Sequence, residues 1–173
     1  MGPRPDRIVL RPVAPTDHED VFRGLSHPEV IRHYGVSFRT LEHTQEQMDW
    51  YATIERDGTG QWWSIRHAGT GTFLGAIGLN GIVRQHRRGE LGFWLLPEHW
   101  HQGYVSEALP LVIDHAFHHL GLHRIVAEVE TGNPASAKVL QRAGFRHEGT
   151  LHDHEVKDGR YLSLHLYALL NKA

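Results

Sequence analysis

Short stretches of alternating apolar and polar residues run along this chain, separated by stretches with helical spacing. Arg7 to Arg11 puts Ile8 and Leu10 on one face and predicts a first strand, ended by Pro12 and Pro15. Thr16 or Asp17 then caps a helix carrying Val21, Phe22 and Leu25, which His27-Pro28 breaks. Residues 29–39, with Val30, Ile31, Tyr34, Gly35 and Phe38, read as a connecting segment with some helical character. Thr44 followed by Gln47 has capping-box spacing and predicts a helix that buries Met48, Tyr51, Ala52 and Ile54 and stops at Gly58.

Gln61 to His67 predicts a second strand, with Trp62 and Trp63 facing opposite ways. Gly69-Thr70-Gly71 is a hairpin turn. The third strand, Thr72 to Val83, contains Gly75, Gly78 and Gly81 and is expected to bend or bulge. Arg84 to Gly89 reads as a basic, exposed turn, and Glu90 to Leu96 as a fourth strand closed by Pro97. From about Gly103 to Leu120, the residues Leu109, Val112, Ile113, Ala116, Phe117 and Leu120 share one helical face, and Pro110 should kink the second turn. Arg124 to Thr131 predicts a fifth strand. Asn133 caps the next helix, with Pro134 at its first position and Gly144 at its end. Phe145 to Val156 and Arg160 to Leu169 form a closing strand pair around Lys157-Asp158-Gly159. These elements predict an α/β fold with one mixed sheet and helices on both faces.

Composition narrows the classes. The 173 residues suit one domain, 1–173, with a single core. Hydrophobic residues at 40% and charged residues at 22% predict a soluble globular protein. A net charge of -2, from 18 basic and 20 acidic side chains, argues against nucleic-acid binding by bulk charge. The chain has no cysteine, which excludes disulfides and thiolate chemistry and fits a cytoplasmic location. No apolar run reaches the roughly 18 residues of a membrane span, so no membrane partner is expected. The start, MGPRPDRIVL, lacks an apolar core for secretion, and its Met-Gly context does not argue for lipidation. Sixteen histidines would swing the net charge positive on mild acidification.

The segment Glu90 to Phe145 carries the chemistry. A strand enters the turn His101-Gln102-Gly103-Tyr104, an amphipathic helix follows, and a second strand leads to the helix opened by Asn133-Pro134. A tight turn at a helix start leaves backbone N–H groups unpartnered at the positive end of the helix dipole. Such a turn suits an anion, pyrophosphate above all.

The run PEHWHQGYVSEAL…NPASAKVLQRAGF…EG…DGRY resembles the GNAT N-acetyltransferases. Trp100, Gly103, Tyr104, Glu107 and Ala108 at the turn, with Asn133, Ser136, Gly144 and Phe145 beyond it, are similar to the ribosomal-protein N-terminal acetyltransferases of the RimJ/RimL type. Pro28-Glu29-Val30 through Tyr34-Gly35 also resembles that branch's early helical segment. The resemblance implies a mostly antiparallel sheet of about seven strands with a V-shaped splay between strands four and five. It implies acetyl-CoA as donor, its pantetheine arm along the fourth strand near Leu95 and Leu96, and its pyrophosphate on His101, Gln102, Gly103, Tyr104, Val105 and Ser106. Asn133 would contact the pantetheine arm. Two positions depart from the family. Val105 stands where a glycine or alanine usually ends the turn, and Leu140 stands where many members place a tyrosine that protonates the departing thiolate.

Acetyl transfer to an amine needs a neutral amine, a polarised thioester carbonyl and a route for the proton. With no cysteine, direct attack is expected, and a backbone N–H near Phe93 or Leu95 is the candidate polarising donor. The candidate bases are Glu128, at a position used as a base in some relatives, and Glu90, for which a surface pair with Arg87 or Arg88 is the competing role. Glu130 shares a sheet face with Glu128. Glu107 reads as a helix-start stabiliser and Tyr104 as a packing residue. Ser136 either touches the cofactor or satisfies the backbone. Tyr34, Phe38, Trp50, Trp62 and Trp63 are candidates to frame an acceptor pocket, with core packing as the other role for the two strand tryptophans. Tyr161, Ser163 and His165 alternate on the last strand and could reach the acceptor. His115, His119 and His123 have helical spacing but read as a solvated face, and no metal site is expected. The expected acceptor is a protein N-terminal α-amine. A small amine such as a polyamine, aminoglycoside or amino acid is the alternative, as is a catalytically silent acyl-CoA sensor. A homodimer is compatible with the chain.

Overall fold

The computed structural model describes residues 6–172. The Met1-Gly2 start therefore lies outside the described residues. Seven strands form one sheet: β1 (Ile8–Pro12), β2 (Gln61–His67), β3 (Phe73–Val83), β4 (Arg88–Leu95), β5 (Arg124–Glu130), β6 (Arg146–Lys157) and β7 (Arg160–Leu170). Their order is β1-β2-β3-β4-β5-β7-β6. All neighbours are antiparallel except β4 and β5, which run parallel through the pairs Arg88–Arg124, Gly89–Ile125 and Glu90–Val126. A parallel neighbour requires a crossover, and α4 (Tyr104–Asp114) supplies it. The β4–β5 ladder ends at Glu90–Val126 while both strands continue, so the sheet splays there.

The helices α1 (His18–Leu25), α2 (Pro28–Ile31) and α3 (Gln45–Asp57) cover one face, and α4 and α5 (Pro134–Arg142) cover the other. Each face has its own core. Val21, Leu25, Met48, Tyr51 and Trp62 pack on the first, and Trp63, Ile77, Leu109, Val112, Ile125 and Leu140 on the second. Trp62 and Trp63 thus divide between the faces, as period two demands.

Glycine in β3 works through close approach more than through bending. Trp62, Gly78 and Gly92 stand side by side on β2, β3 and β4. A Cβ at Gly78 would lie 2.2 Å from the Trp62 ring, and one at Gly92 would lie 2.9 Å from it. The indole lies flat across two strands because neither glycine has a side chain. The expected irregularity falls at Gly81, whose φ is +57° and beside which the register shifts between Asn80 and Val83.

Two of the three predicted caps fail, those of α1 and α3, because polar side chains near a helix start have other backbone groups to bond. The Asp17 carboxylate accepts from Ala14 N at 2.9 Å and pairs with Arg66, leaving α1 without a side-chain cap. The Thr44 hydroxyl donates to the Thr40 carbonyl at 2.8 Å, and no capping box forms on α3. Ala52, expected in the core, is exposed, while Gln47 is buried. β4 begins at Arg88, two residues before the expected start, because the strand continues outward to pair with β5. α4 runs unbroken through Pro110 to Asp114, and the irregularity comes later, as a wider π-helical turn at His115–His119.

Candidate active site

The splay opens a cleft of about 830 Å³ between Leu91–Leu95 of β4 and Ala127–Glu130 of β5. The hydrogen-bond ladder fixes which groups face it. Leu96 N donates to Leu74 O at 2.9 Å, so even-numbered residues of β4 point their backbone groups at β3. Leu91, Phe93 and Leu95 therefore direct theirs away from β3, and beyond the Glu90–Val126 pair those of Phe93 and Leu95 face the splay, where β5 no longer pairs with them. The Leu95 carbonyl is taken by the Trp100 indole at 2.9 Å, which fixes the loop after the strand. The N–H groups of Phe93 and Leu95 remain directed at the cleft.

The far end of the cleft is the α4 start. Gly103 is the N-cap at φ +82°, in the left-handed region where glycine avoids strain, and it has no side chain with which to cap the helix. His101, at φ +60°, helps close the same turn. Tyr104 and Val105 bury their side chains in the core, so the turn presents backbone N–H groups, and Val105 fits without entering the cleft as bulk. The Arg7 guanidinium braces the turn from outside. It bonds Gln102 O at 2.8 Å, pairs with Glu107 and stands over the Tyr104 ring. Lys138 and Arg142, one helical turn apart on α5, add two cations to the cleft lining. Asn133 caps α5, accepting from Ser136 N at 3.4 Å, while its amide donates to Ser136 Oγ at 3.1 Å. An open strand edge, an uncapped helix start and two cations suit a long donor with amides, a pyrophosphate and a further phosphate.

A second pocket, of about 520 Å³, adjoins the cleft on the α2 and α3 side. Tyr34, Phe38, Trp50 and Trp62 form its aromatic walls. Five carboxylates line it, Glu46, Glu90, Glu128, Glu130 and Glu155, and no lysine or arginine does among the described residues. Register accounts for three of them. Glu90 pairs with Val126 across the parallel ladder, so Glu90, Glu128 and Glu130 share the face away from α4.

The pocket perturbs two of its groups. Burial first, then the charges of Glu128 and Glu155, push the Glu90 carboxyl above its ordinary range. Burial first, then Tyr51 and Glu90, push the Tyr34 phenol well above its usual value, so it stays protonated. A carboxyl raised on folding is more protonated folded than unfolded, so its contribution to stability falls as pH rises above the ordinary carboxylate range. Glu90→Gln is therefore expected to raise the melting temperature at pH 7 relative to the parent and to give less advantage at pH 4. A melting-temperature difference that does not depend on pH would contradict this cause.

The structure brings together most of the residues expected from sequence. Phe93, Leu95, His101, Gly103, Tyr104, Val105, Ser106, Asn133 and Ser136 line the cleft, Phe38 and Glu90 line the pocket, and Tyr34 and Glu128 line both. Four residues fall elsewhere. Leu96 is 1% exposed, in the core beneath the strand, because its backbone and side chain both turn away from the splay. Gln102 directs its amide to Glu98 O. Tyr161 is 69% exposed at the β6–β7 hairpin, and Ser163 accepts from Asp153 N at 3.0 Å, within that hairpin. Glu90 forms no ion pair with Arg87 or Arg88. Arg87 instead donates to Gly121 O at 2.8 Å. The face bearing His115 and His119 is not simply solvated. The two rings stack at 5.3 Å, and Trp63 meets His115 edge-on at 5.2 Å. Leu140 is 0% exposed and packs in the core at the cleft floor. No group of three metal-ligating side chains occurs among the described residues.

Lys138, Arg142, Glu46 and His33 line the cavities without having been singled out from sequence. The Lys138–Arg142 pair had a readable signal, its four-residue spacing on the helix opened by Asn133. His33 had none, since only the tertiary fold brings it to β5.

The splayed sheet and its uncapped turn define an acyltransferase scaffold that uses a coenzyme A thioester. The family described as Acetyltransferase (GNAT) domain matches residues 7–146, and the chain belongs to it. It is 33% identical over 166 residues to an uncharacterized N-acetyltransferase, YoaA, of Bacillus subtilis, covering 95% of this chain and 94% of the relative. The Escherichia coli ribosomal-protein-serine acetyltransferase is 36% identical, over only 55% of this chain and 53% of its own length. The spermidine N-acetyltransferase of Vibrio cholerae, solved with CoA and spermine, shares the fold with a TM-score of 0.85 at 21% identity, covering 95% of each chain. The protein is thus an N-acetyltransferase whose donor is acetyl-CoA. No helix among the described residues is long and apolar enough to cross a membrane.

Proposed function

We propose that this enzyme acetylates a primary amine of a small molecule carrying at least one further positive charge, as in a diamine or polyamine. The carrying observation is the acceptor pocket, with five glutamates and no lysine or arginine among its described lining residues. One ammonium would be anchored by the carboxylates and the aromatic walls while the other reaches the splay. Opposite charges about 5 Å apart attract by several kcal/mol at an effective dielectric near 20, and ammonium groups also favour aromatic faces. A peptide N-terminus, which the turn motif and the match to the ribosomal-protein enzyme favour, brings one obligatory charge and uses fewer of these carboxylates.

The donor residues act by position. The Phe93 and Leu95 N–H groups pair with the pantetheine amides or polarise the thioester carbonyl, the α4 start holds the pyrophosphate, and Lys138 and Arg142 neutralise phosphate charge. Thiol release from acetyl-CoA, with a diamine and a monoamine of equal chain length, tests the acceptor class. The diamine is expected to show at least about tenfold higher kcat/KM, about 1.4 kcal/mol of extra binding. Equal values for the two would refute the assignment.

A further inference from the structure

The donor cleft and the acceptor pocket share six lining residues: His33, Tyr34, Leu91, Gly92, Glu128 and Glu130. The thioester lies in one cavity and the amine in the other, so bond formation must occur beside these residues. This rests on the acetyl-transfer reading of the two cavities. Among the six, His33 and Glu130 form a built pair. The His33 Nδ1 lies 2.8 Å from Glu130 Oε2, and the Glu130 side chain is 11% exposed. The two come from distant parts of the chain, the turn just after α2 and the last residue of β5.

We infer that His33, oriented by Glu130, is the proton acceptor for the attacking amine. A carboxylate that takes the Nδ1 proton fixes the tautomer and leaves the Nε2 lone pair free, the same division of labour as in a histidine–aspartate pair of a hydrolase. An imidazole suits the task better than a carboxylate. Histidine is the side chain that most often takes and returns a proton within one turnover. Glu128 and Glu90 are left to hold the cation. The amine first gives one proton to bulk water. As the neutral nitrogen bonds to the acetyl carbon it sheds a second proton, which Nε2 takes. The carbon–sulfur bond breaks with its electron pair on sulfur, and the imidazolium proton passes to the thiolate. Atoms and charge balance as amide plus free CoA, with no tyrosine required at position 140.

The charged and titratable groups around His33 are Glu29 and Arg32 before it in the chain, Tyr34 after it, Glu128 and Glu130 of β5, Glu90 of β4, and Glu155 and Lys157 of β6. Lys157 is turned to backbone, bonding the carbonyls of Ile31, of Arg32 at 2.9 Å and of Tyr34 at 3.3 Å, so it steadies the segment that carries His33.

His33→Ala should lower kcat by about 100-fold, the usual contribution of a positioned base, with KM for acetyl-CoA unchanged within about twofold. The acid limb of its kcat/KM profile should flatten, and added imidazole should restore turnover in proportion to its concentration. Glu130→Ala should lower kcat by at least about tenfold through loss of the tautomer. Nitrogen-15 NMR of the ligand-free protein reads that tautomer without any turnover: the Nδ1–H form of His33 should dominate in the parent and be lost in Glu130→Ala. A His33→Ala enzyme that keeps its rate and its acid limb, or that imidazole does not rescue, overturns the inference, as does a tautomer indifferent to Glu130. A parent inactive on every amine but with the expected tautomer would count against the acetyl-transfer reading instead.

Discussion

Glu90→Gln combined with Glu128→Gln is expected to raise KM for a diamine by about 10- to 100-fold, with KM for acetyl-CoA changing little. Each carboxylate would contribute roughly 0.7–1.4 kcal/mol to holding an ammonium once solvent screening is allowed for, and the two act on one cation. The effect should shrink for a monoamine, which has no second ammonium to anchor, and should weaken at high salt as screening reduces the attraction in the parent. Steady-state kinetics on both acceptors, at two salt concentrations, read all three outcomes. A double variant with parental KM for the diamine would show that the carboxylates are not the anchor. Since burial and then two like charges disfavour the ionised Glu90 carboxyl, the same variant should also be more stable at neutral pH. Such a gain marks a residue retained for function at a cost in stability.

Gly78→Val is expected to cost about 3 kcal/mol or more. The added Cβ would overlap the Trp62 ring near its attachment point, 2.2 Å away, where no flexible tip can yield. Trp62 is 3% exposed and packs against Tyr51 and Trp50, so displacing its ring breaks those contacts. For a domain of this size that loss lowers the melting temperature by about 6–12 °C, at roughly 2–4 °C per kcal/mol. Because the indole also forms the acceptor wall, diamine KM should rise in whatever fraction stays folded. Calorimetry showing a melting temperature within about 2 °C of the parent would contradict this account of the β2–β3–β4 register.

Much of the fold was legible because periodicity reports burial. Every predicted strand appears within about two residues, and Trp62 and Trp63 divide between the two cores as alternation requires. The cap errors at Asp17 and Thr44 have one cause. Short polar side chains choose among several backbone partners, and Asp17 also meets Arg66 from a strand 49 residues away. The donor side was readable since its parts lie in one segment, from Glu90 to Arg142. The acceptor side was not. Its carboxylates come from α3, β4, β5 and β6, and a balanced net charge of -2 conceals their convergence. Strand alternation made Tyr161 and Ser163 plausible acceptor contacts, but the β6–β7 pairing turns Ser163 to Asp153 and leaves Tyr161 in solvent.

The acidic, aromatic pocket beside the splayed sheet is proposed to select a polycationic amine for acetyl-CoA. The most direct measurement is a competition: acetyl-CoA with equal concentrations of a polyamine, a monoamine and peptides bearing free N-termini, the products resolved by mass. The account predicts that the mono-acetylated polyamine appears first and in at least tenfold excess, about 1.4 kcal/mol of discrimination. An acetylated peptide N-terminus as the main product would contradict it.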